Sequence, residues 1–104
     1  MALHVHALKK AVNLLADKLR LRLGYEVFVK KCNRTKSSGE STHFSMIVFE
    51  NQTLLGQYKF FVSSAPDCLY SYSGDTLMWS QMKRLVLDDI NTKSLTRGHS
   101  QLIQ

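Results

Sequence analysis

Few side chains in this sequence have the type and spacing that chemistry demands. His4 and His6 stand two apart, a spacing that shares a face on a strand but not on a helix. They open a helical pattern, so they do not read as a metal pair. Cys32 and His43 lack the two further spaced ligands that zinc requires. Serine, histidine and aspartate are all present, but no Gly-x-Ser-x-Gly turn sets up a nucleophile. The five glycines never gather into a phosphate-cradling loop. "SGDT", residues 73–76, stands at a helix start whose free N–H groups attract anions. Asp75 opposes a phosphate there, and a plain cap is the better reading. No catalytic constellation remains. The chain is read as non-enzymatic, without cofactor or bound metal.

What remains is binding chemistry. "KKCNRTKSSGESTH", residues 30–43, begins with two lysines and adds Arg34 and Lys36 before any acid appears. It lies between the apolar runs "YEVFV" and "FSMIVF". Phe28 and Phe61 fall at strand positions beside Lys30 and Lys59. Bases stack on exposed aromatic rings while lysines and arginines follow the phosphates. Phe28, Lys30, Lys31, Arg34, Lys36, Lys59 and Phe61 are therefore the candidate site residues for nucleic acid or a protein partner.

The elements that position them follow from periodicity. Val5, Leu8, Val12, Leu15 and Leu19 recur at spacings of three and four, one stripe of an amphipathic helix over roughly residues 4–23. Ala7, Ala11 and Leu14 widen the stripe, and Gly24 is a natural stop. Tyr25, Val27 and Val29 alternate with Glu26, Phe28 and Lys30 as in a strand. Residues 32–42, rich in Ser, Thr, Asn and Gly, read as a loop. "HFSMIVFE" and "LLGQYKFFVSS" read as the second and third strands, with "NQT" as the turn between them. Pro66 closes this part, and "CLYSY" is a short fourth edge strand. "SGDTLMWSQMKRLVLDDI" is the second helix, with rows Met78, Met82, Leu85, Asp89 and Leu77, Val86, Ile90. Residues 93–104 carry no periodicity and read as a frayed tail behind a single domain over 1–92.

The expected fold is α+β: a two-layer sandwich of order α-β-β-β(-β)-α, with an antiparallel meander sheet and both helices on one face. The helices take the face with Tyr25, Val27, Val29, Tyr58, Phe60 and Val62. The other face carries Glu26, Phe28, Lys30, Gln57, Lys59 and Phe61, with either Ile47 and Phe49 or Met46 and Val48 from the second strand. That face is too apolar for plain solvent and too basic for a third layer, so a partner covers it part of the time.

Composition agrees with one folded domain. The chain has 104 residues, 44% hydrophobic and 21% charged, with a formal net charge of +6. Residues 1–41 hold nine basic residues against three acids, so the whole excess lies in the first two-fifths. A basic surface of this kind draws polyanions, although a solvated face that aids solubility is the plainer alternative. Two cysteines, Cys32 and Cys68, do not make a disulfide framework; two reduced thiols or a single bridge between them both fit. Lys9, Lys10 and Asp17 interrupt every apolar run near the start, and nothing approaches the roughly 18–20 residues of a membrane span. The expected location is intracellular and cytoplasmic. A basic amphipathic start also suits a mitochondrial presequence, but Asp17 and the core pattern argue against one. The sequons at Asn33 and Asn51 read as turns in that setting.

The α-β-β-β-α order is similar to the double-stranded-RNA-binding domain. It is also similar to the small Alu-RNA-binding subunits of the signal recognition particle, through "VFVKKCNRTK" followed by "FVSS" and a helix. The likeness spans residues 5–95 and rests on order and charge, without a specific motif. Where a double-stranded-RNA-binding domain usually has lysines, this chain reads Asp75-Thr76-Leu77-Met78. Nucleic-acid binding, RNA ahead of DNA, is thus the first functional expectation. The alternative is a protein-interaction module: a homodimer through the sheet face, or an adaptor or inhibitor that meets an acidic protein.

Overall fold

The computed structural model describes the backbone of residues 2–36, 39–62, 70–72 and 74–103, with side chains over 4–33, 42–62, 70–72 and 74–95. The elements run α1 (Ala2–Leu23), β1 (Glu26–Lys36), β2 (Gly39–Glu50), β3 (Thr53–Val62), β4 (Tyr70–Tyr72) and α2 (Thr76–Ile103).

The stripe read from the sequence is what α1 buries: Leu8, Val12, Leu15, Ala16 and Leu19 are shielded from solvent. Leu14 is not part of it and stays 64% exposed. Gly24 takes φ +75, a left-handed value that a side chain resists, and the chain turns there into β1. The Arg20 guanidinium then fastens the helix to the sheet. Its Nε and Nη2 donate to the Val27 carbonyl at 3.1 and 2.7 Å, while Nη1 meets Asp17 at 3.0 Å.

The four strands form one sheet in the order β1-β2-β3-β4. β1 pairs antiparallel with β2, and β2 with β3. Asn51 and Gln52, at φ 50 and 69, make the tight turn between β2 and β3. Two consecutive left-handed residues match the twist of a two-residue hairpin. The register shifts between Val48 and Phe49, so that Val48 faces Gly56 while Phe49 faces Leu54. This bulge leaves Leu55 as the extra residue, and it is buried in the core.

Three expectations are corrected. The sheet is mixed rather than an antiparallel meander, because β4 runs parallel to β3, with Phe60 opposite Tyr70 and Val62 opposite Tyr72. Residues 32–36 and 39–42 are strand, not loop: pairing continues from Cys32–His43 through Lys36–Gly39. Ladder bonds come from the backbone and accept polar side chains. Here Thr42 Oγ1 also donates to Asn33 Oδ1 at 3.0 Å across the strands. Finally, α2 runs to Ile103, through the segment expected to be a tail; no proline interrupts it.

One hydrophobic cluster unites α1, the sheet and α2. It joins Leu8, Val12, Leu15 and Leu19 to Val27, Phe44, Met46, Val48, Tyr58 and Phe60, and these to Met82, Val86 and Ile90. α1 packs on β1, β2 and β3; α2 packs on β3 and β4. In α2 the buried row is Met82, Val86 and Ile90, while Leu77, Met78 and Leu85 remain exposed. Phe60 sits at the centre, with Tyr70 at 5.5 Å and Trp79 at 5.7 Å between ring centroids. Tyr58 reaches α2 through its hydroxyl, which donates to Asp89, and Lys93 closes the group at 2.9 Å from Asp89. A Cβ at Gly56 would meet the Tyr58 hydroxyl at 2.6 Å, so the glycine makes room for this phenol. Pro66 and Cys68 lie outside the described residues, so only the Cys32 thiol, which is free, is placed.

Candidate functional site

Strand alternation sorts the candidate residues. The face opposite the core side chains is built from cross-strand rows read directly from the register. Glu26 faces Phe49, which faces Leu54; Phe28 faces Ile47, which faces Gln57. Lys30 faces Ser45, which faces Lys59; Cys32 faces His43, which faces Phe61. Ile47 and Phe49, rather than Met46 and Val48, supply the second strand's share. The sequence left that choice open because β2 is apolar on both faces.

The rows give this face a pattern. At one end Phe28 and Phe49 meet edge-on, with ring centroids 5.9 Å apart and an 84° interplanar angle. At the other end His43 and Phe61 stack at 4.9 Å and 26°. The Lys30–Ser45–Lys59 row lies between, so the two aromatic pairs flank two cations. Successive rows are about 7 Å apart, which puts some 13 Å between the Phe28 row and the Phe61 row. Phe28 is 53% exposed, and Lys30, Gln57 and Lys59 are exposed as well. Among the described residues of this face Ser45 alone is buried, and Gln57 Nε2 donates to its hydroxyl at 3.0 Å. That bond spends Gln57 on the sheet and leaves the lysines as the charged groups between the rings.

The basic stretch does something the sequence reading missed. Among the described residues β3 pairs with β2 only as far as His43, while Asn33–Lys36 and Gly39–Thr42 pair with each other. They extend beyond the sheet as a two-stranded ribbon about 13 Å long. Arg34 faces Ser41 and Lys36 faces Gly39 within it. Arg34 and Lys36 occupy alternate positions of β1, in phase with Phe28, Lys30 and Cys32. Lys31 is out of phase. It is exposed opposite Phe44, on the other side of β1, and does not join the group.

Five of the seven candidate residues thus have described side chains, and four of these share one face: Phe28, Lys30, Lys59 and Phe61. Sequence reasoning missed His43 and Phe49 as ring partners. His43 opens the second strand in the sequence, but its place opposite Phe61 follows only from the register with its shift between Val48 and Phe49. Among the described residues no three His, Cys, Asp or Glu side chains gather closely enough to hold a metal ion. No helix among them is long and apolar enough to cross a membrane. Comparison with known proteins finds no matching family model, no similar curated protein and no similar solved structure.

Proposed function

We propose that the chain is a two-layer module with both helices on one face of its sheet, and that the other face binds single-stranded nucleic acid, RNA in preference to DNA. The observation that carries this reading is the Lys30–Ser45–Lys59 row between the Phe28–Phe49 and His43–Phe61 pairs. Splayed bases stack on exposed ring faces, and phosphates between them need cations. The ribbon carrying Arg34 and Lys36 continues the basic track beyond the sheet. Each phosphate neutralised releases counterions, so affinity must fall as salt rises. Labelled single-stranded RNA and DNA titrated against the protein at several salt concentrations test this directly. Salt-insensitive binding, or none, refutes it.

A second reading rests on Leu54. It is 54% exposed at the end of the face, in the row of Phe49 and next to that of Phe28. Together these side chains supply the apolar centre of a protein interface, as in a homodimer through the sheet. Light scattering at low and high salt separates the two, because an apolar dimer persists in salt while nucleic-acid binding is lost.

A further inference from the structure

The helical side of the molecule has a feature that nucleic-acid binding does not use. α1 and α2 touch the sheet more than each other, and a groove of about 430 Å³ lies between them. Its floor is apolar: Ala7, Ala11, Leu14 and Leu15 from α1, and Trp79 from α2. Its charged side chains among the described residues are Lys10, Lys18 and Lys83, with no acid among them. Asp17, nearby on α1, is paired with Arg20. Among the described residues none of the three lysines has an ion-pair partner. Ala7 to Lys18 spans about 16 Å of helix, the length over which a docked helix places three apolar anchors.

We propose that this groove seats a short amphipathic helix from an acidic partner protein, with apolar side chains against Leu14 and Trp79 and carboxylates at Lys10, Lys18 and Lys83. Charge selects this occupant. A second copy of the chain would bring its own three lysines against these. A nucleic acid would find a single ring among the described lining residues, Trp79, which Phe60 at 5.7 Å and Tyr72 at 6.2 Å hold in the core. A bilayer surface does not fill a concave slot, whereas the convex face of a helix does.

Trp79 is the only tryptophan and reports from inside the groove. The probe is a tryptophan-free helical peptide of about 16 residues, with leucines at i, i+3 and i+7 and glutamates beside them. The expected result is a saturable blue shift of Trp79 emission, absent when the leucines become serine or the glutamates lysine. Lys10→Glu, Lys18→Glu and Lys83→Glu together weaken binding by at least about tenfold. Leu14→Asn, which removes no buried side chain, weakens it by about tenfold and leaves RNA affinity unchanged. Circular dichroism confirms that both variants fold. No saturable shift, or an equal response to the serine peptide, overturns the proposal. So does a peptide response that survives the lysine reversals. A stronger, competing response to dodecanoate monomers overturns it in favour of a small anionic amphiphile.

Discussion

The two faces of the sheet are made from alternate residues of the same strands, yet they are built to opposite rules. On β1, Val27 is buried and Val29 half-buried, while Phe28 and Lys30 between and beyond them are exposed. The core face has Phe44, Met46, Val48 and Phe60 at 1% exposure or less. The Tyr58 phenol, buried among them, is satisfied by Asp89. On the second face the same strands alternate phenylalanine with lysine, and its described lysines have no carboxylate partner there. Folding energy resides on one face and the proposed binding is assigned to the other, so substitutions should separate them.

The largest effect is expected on the core face. Phe60→Ala removes a fully buried ring held by Tyr70 and Trp79 and should cost about 3–5 kcal/mol, read as a lower urea midpoint. For a domain this small, that is a large part of the total. A loss under about 1 kcal/mol would mean that the centre of the core lies elsewhere.

Next comes Gly56→Ala. The new methyl would lie 2.6 Å from the Tyr58 hydroxyl, which is not free to swing because Asp89 holds it. Overpacking of this kind costs about 1–3 kcal/mol. Combining it with Tyr58→Phe should recover part of the loss in a double-mutant cycle, since the hydroxyl is the nearest clashing atom while Cζ, at 2.9 Å, remains.

The second face should behave in the reverse way. Lys30→Glu with Lys59→Glu should leave stability within about 0.5 kcal/mol. The same pair should flatten the slope of log affinity against log salt by about 2. Phe28→Ala should likewise spare folding but cost about 1–3 kcal/mol of nucleic-acid affinity with little change in the salt slope, because stacking is lost and not charge. Unfolding by either change would erase the contrast between the faces.

The smallest effect is a pH dependence confined to the core face. Hydrogen bonds from Lys93 and Tyr58 hold the Asp89 carboxyl below its usual range, against a smaller opposing effect of burial. Its contribution is complete above the ordinary carboxylate pKa near 3.8 and is lost as pH falls through the lower folded value. Burial, then Asp89, raises the Tyr58 phenol, and burial raises Tyr70. Their contribution is complete below the ordinary phenol value of 10 and declines as pH rises above it. Melting curves across pH should show both losses in the natural chain, and Asp89→Asn should remove the acid one.

Much of this division was legible before any coordinates. Spacings of three and four marked the α1 stripe, and alternation assigned the faces of β1 and β3. What was hidden had physical causes. The ribbon of residues 33–36 and 39–42 has the composition of a loop, because its pairing is carried by backbone groups that leave no mark on side-chain polarity. β2 is apolar on both sides, so only its register could decide between Ile47 and Met46. The bulge beside Val48 depends on partner strands, not on any one residue. Leu14 falls within the apolar stripe of α1, yet α2 does not cover it, and only packing shows that. Lys31 looked equivalent to Lys30 until the register placed it opposite Phe44.

The most direct measurement is fluorescence anisotropy of a labelled single-stranded RNA, titrated with protein freed of host nucleic acid at several salt concentrations. It should compare the natural chain with the Lys30→Glu, Lys59→Glu variant. Binding that weakens steeply with salt, and a slope about 2 shallower in a folded variant, is the result expected if the second face carries the phosphates. Equal affinity and equal slope in the two proteins would contradict that claim.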